Sequence, residues 1–159
     1  MNFDRYEYDQ LDEFTYRFYS EGYNGRFEIR VKITEMVYHS YNLGFGVFDP
    51  QTEELDDLVE IRNGDSQKLL ATVANITLMF LEDHTRAHIY ATGSTKSRTR
   101  LYQMGINKIM PTLNGYMIFG YPAKRSCMEP SEGHYPEIDN EWYKIQLGVA
   151  YDAFLIYKS

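Results

Sequence analysis

Residues 13–20 alternate between two sides, with Phe14, Tyr16 and Phe18 on one and Thr15, Arg17 and Tyr19 on the other. A period of two is the mark of a strand with one buried face. The turn sequence Glu21-Gly22-Tyr23-Asn24-Gly25 comes next, and then a cleaner alternation of Phe27, Ile29, Val31 and Ile33 against Arg26, Glu28, Arg30 and Lys32. Two such runs around a glycine-bearing turn predict an antiparallel hairpin. A third strand is predicted where Tyr41, Leu43, Phe45 and Val47 alternate with Asn42, Gly44, Gly46 and Phe48, ending at Asp49-Pro50. Gly44 and Gly46 mark either a bulge or close packing of another element, or room for a ligand against the strand.

Beyond the acidic loop Gln51–Asp57, Leu58–Ile61 reads as a short fourth strand. The period then changes. After the turn Asn63-Gly64-Asp65, the residues Leu69, Leu70, Val73, Ala74, Ile76, Thr77 and Phe80 recur at helical spacing, predicting a helix over Ser66–Glu82 with Asp65 or Ser66 as its cap. Ala87–Thr92 is the next strand. It runs into Gly93, and a second helix, capped by Ser94 or Thr95, carries Leu101, Tyr102, Met104 and Ile106 before ending near Gly105–Pro111. Gly115–Tyr121 and Gly148–Tyr157 are the last two strands. Between them, Pro122–Asn140 holds three of the five prolines together with Glu129, Glu132, Glu137 and Asp139, the composition of a long surface excursion.

The order β-β-β-(β)-α-β-α-β-β predicts an α+β fold: one mostly antiparallel sheet covered by two main helices, in a single domain spanning residues 1–159. A crossover through residues 57–92 is expected to be right-handed if its two strands lie parallel. The 159 residues suit one domain, a size at which roughly 70% of the extended surface leaves water on folding.

Charge and residue counts narrow the function classes. A net charge of −7 argues against a protein that coats nucleic acid without sequence preference, since that mode needs a broad basic surface. The lone Cys127 excludes an internal disulfide and any multi-cysteine zinc cluster, and suits a reducing compartment. Met1–Tyr6 has no apolar leader segment and no apolar run approaches 18 residues, so the chain is read as cytoplasmic with no membrane partner. His39, His84, His88 and His134 form no HExxH-type pattern, and the adjacent Asp56 and Asp57 lack a patterned third ligand. Neither a metal nor a cofactor is assigned, and no residue is assigned a catalytic role. Trp142 with Tyr143 reads as an anchor over the sheet edge, or alternatively as a partner hot spot or a base-stacking platform.

One stretch stands apart from this acidic background. Gly93, Ser94, Thr95, Lys96, Arg98 and Arg100 place a glycine, two hydroxyls and three cations around a helix start, with Tyr102 one turn further on. Helix starts present unpaired N–H groups and the positive end of the peptide dipoles, so cations there oppose the dipole and call for an anion. Charge-assisted contacts of this kind contribute roughly 1.5–3 kcal/mol each when desolvated. The expected ligand is a phosphate-bearing small molecule, such as a nucleotide, or a nucleic-acid backbone. The alternative is that Arg98 and Arg100 pair with the protein's own carboxylates and Ser94 is only a cap.

The segments Tyr41–Gly46 (YNLGFG), Asn63–Asp65 (NGD), Leu70–Ala74 (LATVA) and Gly93–Tyr102 (GSTKSRTRLY) resemble those of an uncharacterised family of small Bacteroidota proteins, over nearly the whole chain. That resemblance implies no activity. In layout, Arg62–Leu70 followed by a strand and by Ser97–Ile106 is similar to the closing half of GCN5-related N-acetyltransferases. This second resemblance implies an acyl-CoA-dependent N-acyltransferase or an inactive relative. Backbone N–H groups after Gly64 would then meet the cofactor's pyrophosphate, and Tyr102 would protonate the leaving thiolate. The sequence departs from that pattern in having a single Gly64 in the turn and in placing Asp65 among the phosphates. A third class, a protein-interaction module such as an antitoxin or defence accessory, is suggested by the aromatic content and the acidic loop.

Overall fold

The computed structural model describes residues 4–56, 63–92, 96–109, 113–122, 142–146 and 149–159. The chain's first strand is a short acidic one, β1 (Asp9–Asp12), and the predicted hairpin follows as β2 (Thr15–Gly22) and β3 (Gly25–Glu35). Their antiparallel register pairs Tyr16 with Val31 and Phe18 with Ile29, so the apolar positions of both strands fall on one face. β4 (Ser40–Phe48) adds to β3 with Val31 opposite Phe45 and Ile33 opposite Leu43. The tight link between them is a hydrogen bond from Ser40 N–H to the Val37 carbonyl (2.9 Å), with Tyr38 and His39 both at positive φ.

After the two-residue β5 (Leu55–Asp56) the chain forms α1 (Ser66–Asp83), β6 (His88–Ala91), α2 (Lys96–Ile109), β7 (Tyr116–Pro122), β8 (Tyr143–Lys144) and β9 (Tyr151–Lys158). Among the described residues, nine strands make one sheet in the order β1-β2-β3-β4-β6-β9-β7-β8, with β5 paired to β4. Every neighbouring pair is antiparallel except β4 and β6, which run parallel with Ser40 opposite His88 and Asn42 opposite Tyr90. The α+β class, the mostly antiparallel sheet and the two helices match the expectation from the sequence.

Both helices cover the same face. Phe80 of α1 packs edge-on against Tyr41, and Tyr102 of α2 packs edge-on against Phe45, residues that share the inward side of β4. The buried apolar residues form one cluster around fully enclosed Phe18, Ile29, Ile76, Phe80, Ile89 and Phe154. Burial of such side chains stabilises the fold by about 1.5–3 kcal/mol apiece.

The differences from the sequence reading have local causes. β1 is exposed along its whole length and has no apolar alternation to betray it. β8 is two residues long and exists because Phe119 and Gly120 of β7 accept it as a partner. The last strand starts at Tyr151, since Val149 and Ala150 are exposed and unpaired in the sheet. Asp65 does occupy the cap position of α1, but its side chain makes no capping hydrogen bond. The strand expected at Leu58–Ile61 and nearly all of the excursion expected at Pro122–Asn140 lie outside the described residues.

Candidate functional site

The parallel pair decides where the helices begin. β3 and β4 are antiparallel, so the β2–β3 turn lies at the edge where β4 ends. Asn63 is tied to that turn, its Oδ1 accepting from Asn24 N–H (2.7 Å) and its carbonyl from Tyr23 N–H (3.1 Å). The start of α1 is therefore at the carboxyl end of β4. Because β6 is parallel to β4, the chain leaving Ala91 toward α2 emerges at the same edge.

Of the predicted anion-binding stretch, Gly93, Ser94 and Thr95 lie outside the described residues, and for Lys96 and Arg98 only the backbone is described, as the first turn of α2. No acidic residue falls in that turn, and Lys108 sits in the last turn, where a cation suits the dipole. Arg100 is exposed on the helix. Tyr102 is turned the other way: it is 8% exposed, packs edge-on to Phe45 at 5.2 Å between centroids, and its hydroxyl donates to the Leu43 carbonyl at 3.0 Å. The β4–β6 register runs from Ser40 to Asn42, one residue short of Leu43, so the α2 phenol meets a β4 carbonyl just beyond that ladder.

The Asn63-Gly64-Asp65 turn is the centre of a buried polar cluster that sequence reasoning missed. Asn63 is 4% exposed, and its Nδ2 donates to Ser20 Oγ (3.0 Å) and to the Gly25 carbonyl (2.9 Å). Ser20, itself fully buried, passes its proton's hydrogen bond to Asp65, which also accepts from the Tyr6 hydroxyl at 2.7 Å. The Asp65 carboxylate is thus engaged by two hydroxyls. Burial, with the Asp65 charge in support, pushes the Tyr6 phenol up to about 12. Ser20 at an inward strand position, among Tyr16 and Phe18, was the one signal in the sequence: a buried hydroxyl needs partners from elsewhere.

Two glycines belong to this cluster. A Cβ at Gly22 would lie 1.9 Å from the Asn63 carbonyl oxygen, so the hairpin end and the turn meet with no space for a side chain. Gly64 has φ of 75°, in the region that glycine favours, and the Tyr23 ring lies where a Cβ would project. Both earn their place by packing, with no ligand required.

The remaining candidates separate. His84 stacks on Phe80 at 4.0 Å, with Nδ1 donating to the Phe80 carbonyl and Nε2 facing Glu13, whereas His88 packs at a tilt against Tyr157 at 4.7 Å. They share no site. No group of three or more His, Cys, Asp or Glu side chains that could hold a metal occurs among the described residues. Gly46 has β5 against it, since a Cβ there would lie 2.6 Å from the Asp56 carbonyl, which is the close-packing alternative. Trp142 packs edge-on to Tyr90 and Tyr121, at 5.9 and 5.7 Å. Among the described residues, no helix is long and apolar enough to cross a membrane.

The chain belongs to the DUF6934 family, a family of unknown function whose model matches residues 2–159. The match covers as much of the chain as the first resemblance implied. No curated protein and no solved structure matches the chain.

Proposed function

We propose that the protein binds a phosphate-bearing ligand, a nucleotide or a nucleic-acid backbone, at the sheet edge where β4 and β6 end and α2 begins. The observation that carries this reading is the parallel β4–β6 pair in an otherwise antiparallel sheet, because it directs the starts of both helices to one edge. A parallel pair brings the carboxyl ends of its two strands to the same edge of the sheet. Helix N-terminal N–H groups and their dipole favour an anion there. The sequence adds Lys96, Arg98 and Arg100 with no acid in the first turn of α2. At roughly 1.5–3 kcal/mol per charge-assisted contact, two of these cations account for at least a hundredfold in affinity.

The test is calorimetry on the full chain with inorganic phosphate, nucleoside phosphates and single-stranded oligonucleotides at low salt. Lys96→Ala combined with Arg98→Ala is expected to lower the affinity by about a hundredfold or more, and added salt to weaken wild-type binding. An affinity that the double variant leaves intact sinks the reading.

A second reading, an acyl-CoA-dependent N-acyltransferase or an inactive relative, draws on the same topology: α1 links the two parallel strands and α2 follows the second. Two features weigh against it. The Tyr102 hydroxyl, its proposed proton donor, is engaged inside the core, and the Asp65 charge sits at the start of α1, where the pyrophosphate would bind. Calorimetry with CoA separates the two readings, since a nucleotide site on α2 has no requirement for the thiol-bearing arm.

A further inference from the structure

The turn between β3 and β4 is tighter than its residues suit. Met36 N–H donates to the Ser40 carbonyl (2.8 Å) and Ser40 N–H to the Val37 carbonyl (2.9 Å), so Tyr38 and His39 are the central pair of a two-residue hairpin loop. Both have positive φ, 30° and 57°. A loop of this kind takes that backbone to match the twist of its strands, and Asn-Gly fills it with the least strain. Here a tyrosine and a histidine hold it, each with its Cβ crowded by its own backbone. Among the described residues, the other non-glycine position at positive φ, Glu53, stands alone in the β4–β5 loop.

The fold gains nothing from these side chains. Tyr38 is 90% exposed and Val37 66%, and His39 is exposed beside them. Among the described residues, the rings of Tyr38 and His39 neither stack on another ring nor make a hydrogen bond or ion pair. The backbone beneath them is fixed all the same, since the His39 carbonyl accepts from His88 N–H at 2.8 Å and ties the turn to the start of β6. An aromatic ring on a rigid, protruding turn loses little freedom when a partner buries it, and tyrosine is prominent among the residues that carry the energy of such contacts. Strain kept where a stabler sequence exists marks a task other than folding.

The surrounding edge sets the chemistry of the partner. β2, β4 and β6 begin there and α1 and α2 end there, opposite the edge proposed for the anion. Its acidic side chains are Asp12, Glu13, Glu35, Glu82 and Asp83, all exposed, against the cations Arg86, Lys108 and Lys158, the last already paired with Glu82 at 2.7 Å. That balance repels a nucleic-acid backbone and attracts a surface carrying Lys or Arg. We infer that the β3–β4 turn is a docking knob, whose Val37 and Tyr38 enter an apolar cleft on a basic protein partner while the partner's cations meet the carboxylates around the turn. The inference is independent of the phosphate-binding reading, which concerns the other edge.

The test joins stability to binding. Tyr38→Asn combined with His39→Gly relieves the turn, so the full-length double variant should melt several degrees above the wild type. In parallel, p-benzoylphenylalanine replaces Tyr38 in one full-length chain and Tyr23 in another, Tyr23 being 91% exposed on the β2–β3 turn at the opposite edge. On irradiation in native lysate, position 38 should give a nuclease-resistant adduct with a basic protein that position 23 does not give and that added salt suppresses. That protein, once identified and purified, should bind the double variant about tenfold or more weakly than the wild type, in spite of the variant's greater stability. The inference is overturned if the double variant is no more stable than the wild type, or if position 38 gives no adduct or the same adducts as position 23. It is equally overturned if the adduct is nucleic acid or a second copy of this chain, or if the captured protein binds both forms alike.

Discussion

Replacing Tyr102 by Phe removes one oxygen and leaves the ring where it is, so it asks what the hydroxyl is for. In the structure that oxygen donates to the Leu43 carbonyl from a residue only 8% exposed, and the ring keeps its edge contact with Phe45 at 5.2 Å. Without the hydroxyl, a buried carbonyl loses its donor at the place where β6 has stopped pairing with β4. Leaving such a group unsatisfied costs about 1–3 kcal/mol, a substantial part of the 5–15 kcal/mol that holds a typical domain together. In a chain of this length each kcal/mol shifts the thermal midpoint by roughly 2–4 °C, so Tyr102→Phe should melt several degrees lower. The urea midpoint should fall with an unchanged slope. Affinity for phosphate or nucleotide should not change. A variant as stable as the wild type but deficient in anion binding would refute this reasoning, since it would mean that the phenol faces the ligand.

Two further outcomes test the polar cluster and the buried phenols. Gly22→Ala drives a Cβ into the Asn63 carbonyl, and Asn63→Ala strips partners from Ser20, Asn24 and the Gly25 carbonyl, so each should destabilise the chain by about 3 kcal/mol or more in urea titrations; wild-type midpoints would show that the turn is not pinned as described. Tyr6, Tyr16 and Tyr116 are pushed up to about 12, by burial first and, for Tyr6 and Tyr116, by hydrogen bonds to Asp65 and Glu82 as well. An unfolded chain ionises its phenols near 10, so between pH 10 and 12 it binds fewer protons than the folded one. The contribution of these groups is therefore complete below pH 10 and is lost as the pH climbs toward 12. Phenolate absorbance should rise in two stages, the later one coinciding with loss of structure; a single unperturbed titration would contradict the burial.

The sequence by itself determined most of the local structure. Alternation in residues 14–33 and 41–47 specified the faces of β2, β3 and β4, because a period-two pattern can bury one side in only one way. The 3.6-residue stripe of α1 likewise marked its buried side, from Leu69 to Phe80. What no local pattern held were relations between distant segments. Gly22, Ser20, Asn63 and Tyr6 look like an unremarkable turn, a polar strand residue, a loop and a terminus, yet the fold brings all four together at one hydrogen-bonded cluster. Gly44 and Gly46 read identically along the chain, and only the course of β5 across one of them tells them apart. Tyr102 looked like a ligand contact beside the cations because helix periodicity says which residues share a face and not what lies beneath it. That β4 should take β6 as a parallel neighbour, and so gather two helix starts at one edge, was decided by tertiary packing, since strand order depends on contacts between residues nearly fifty positions apart.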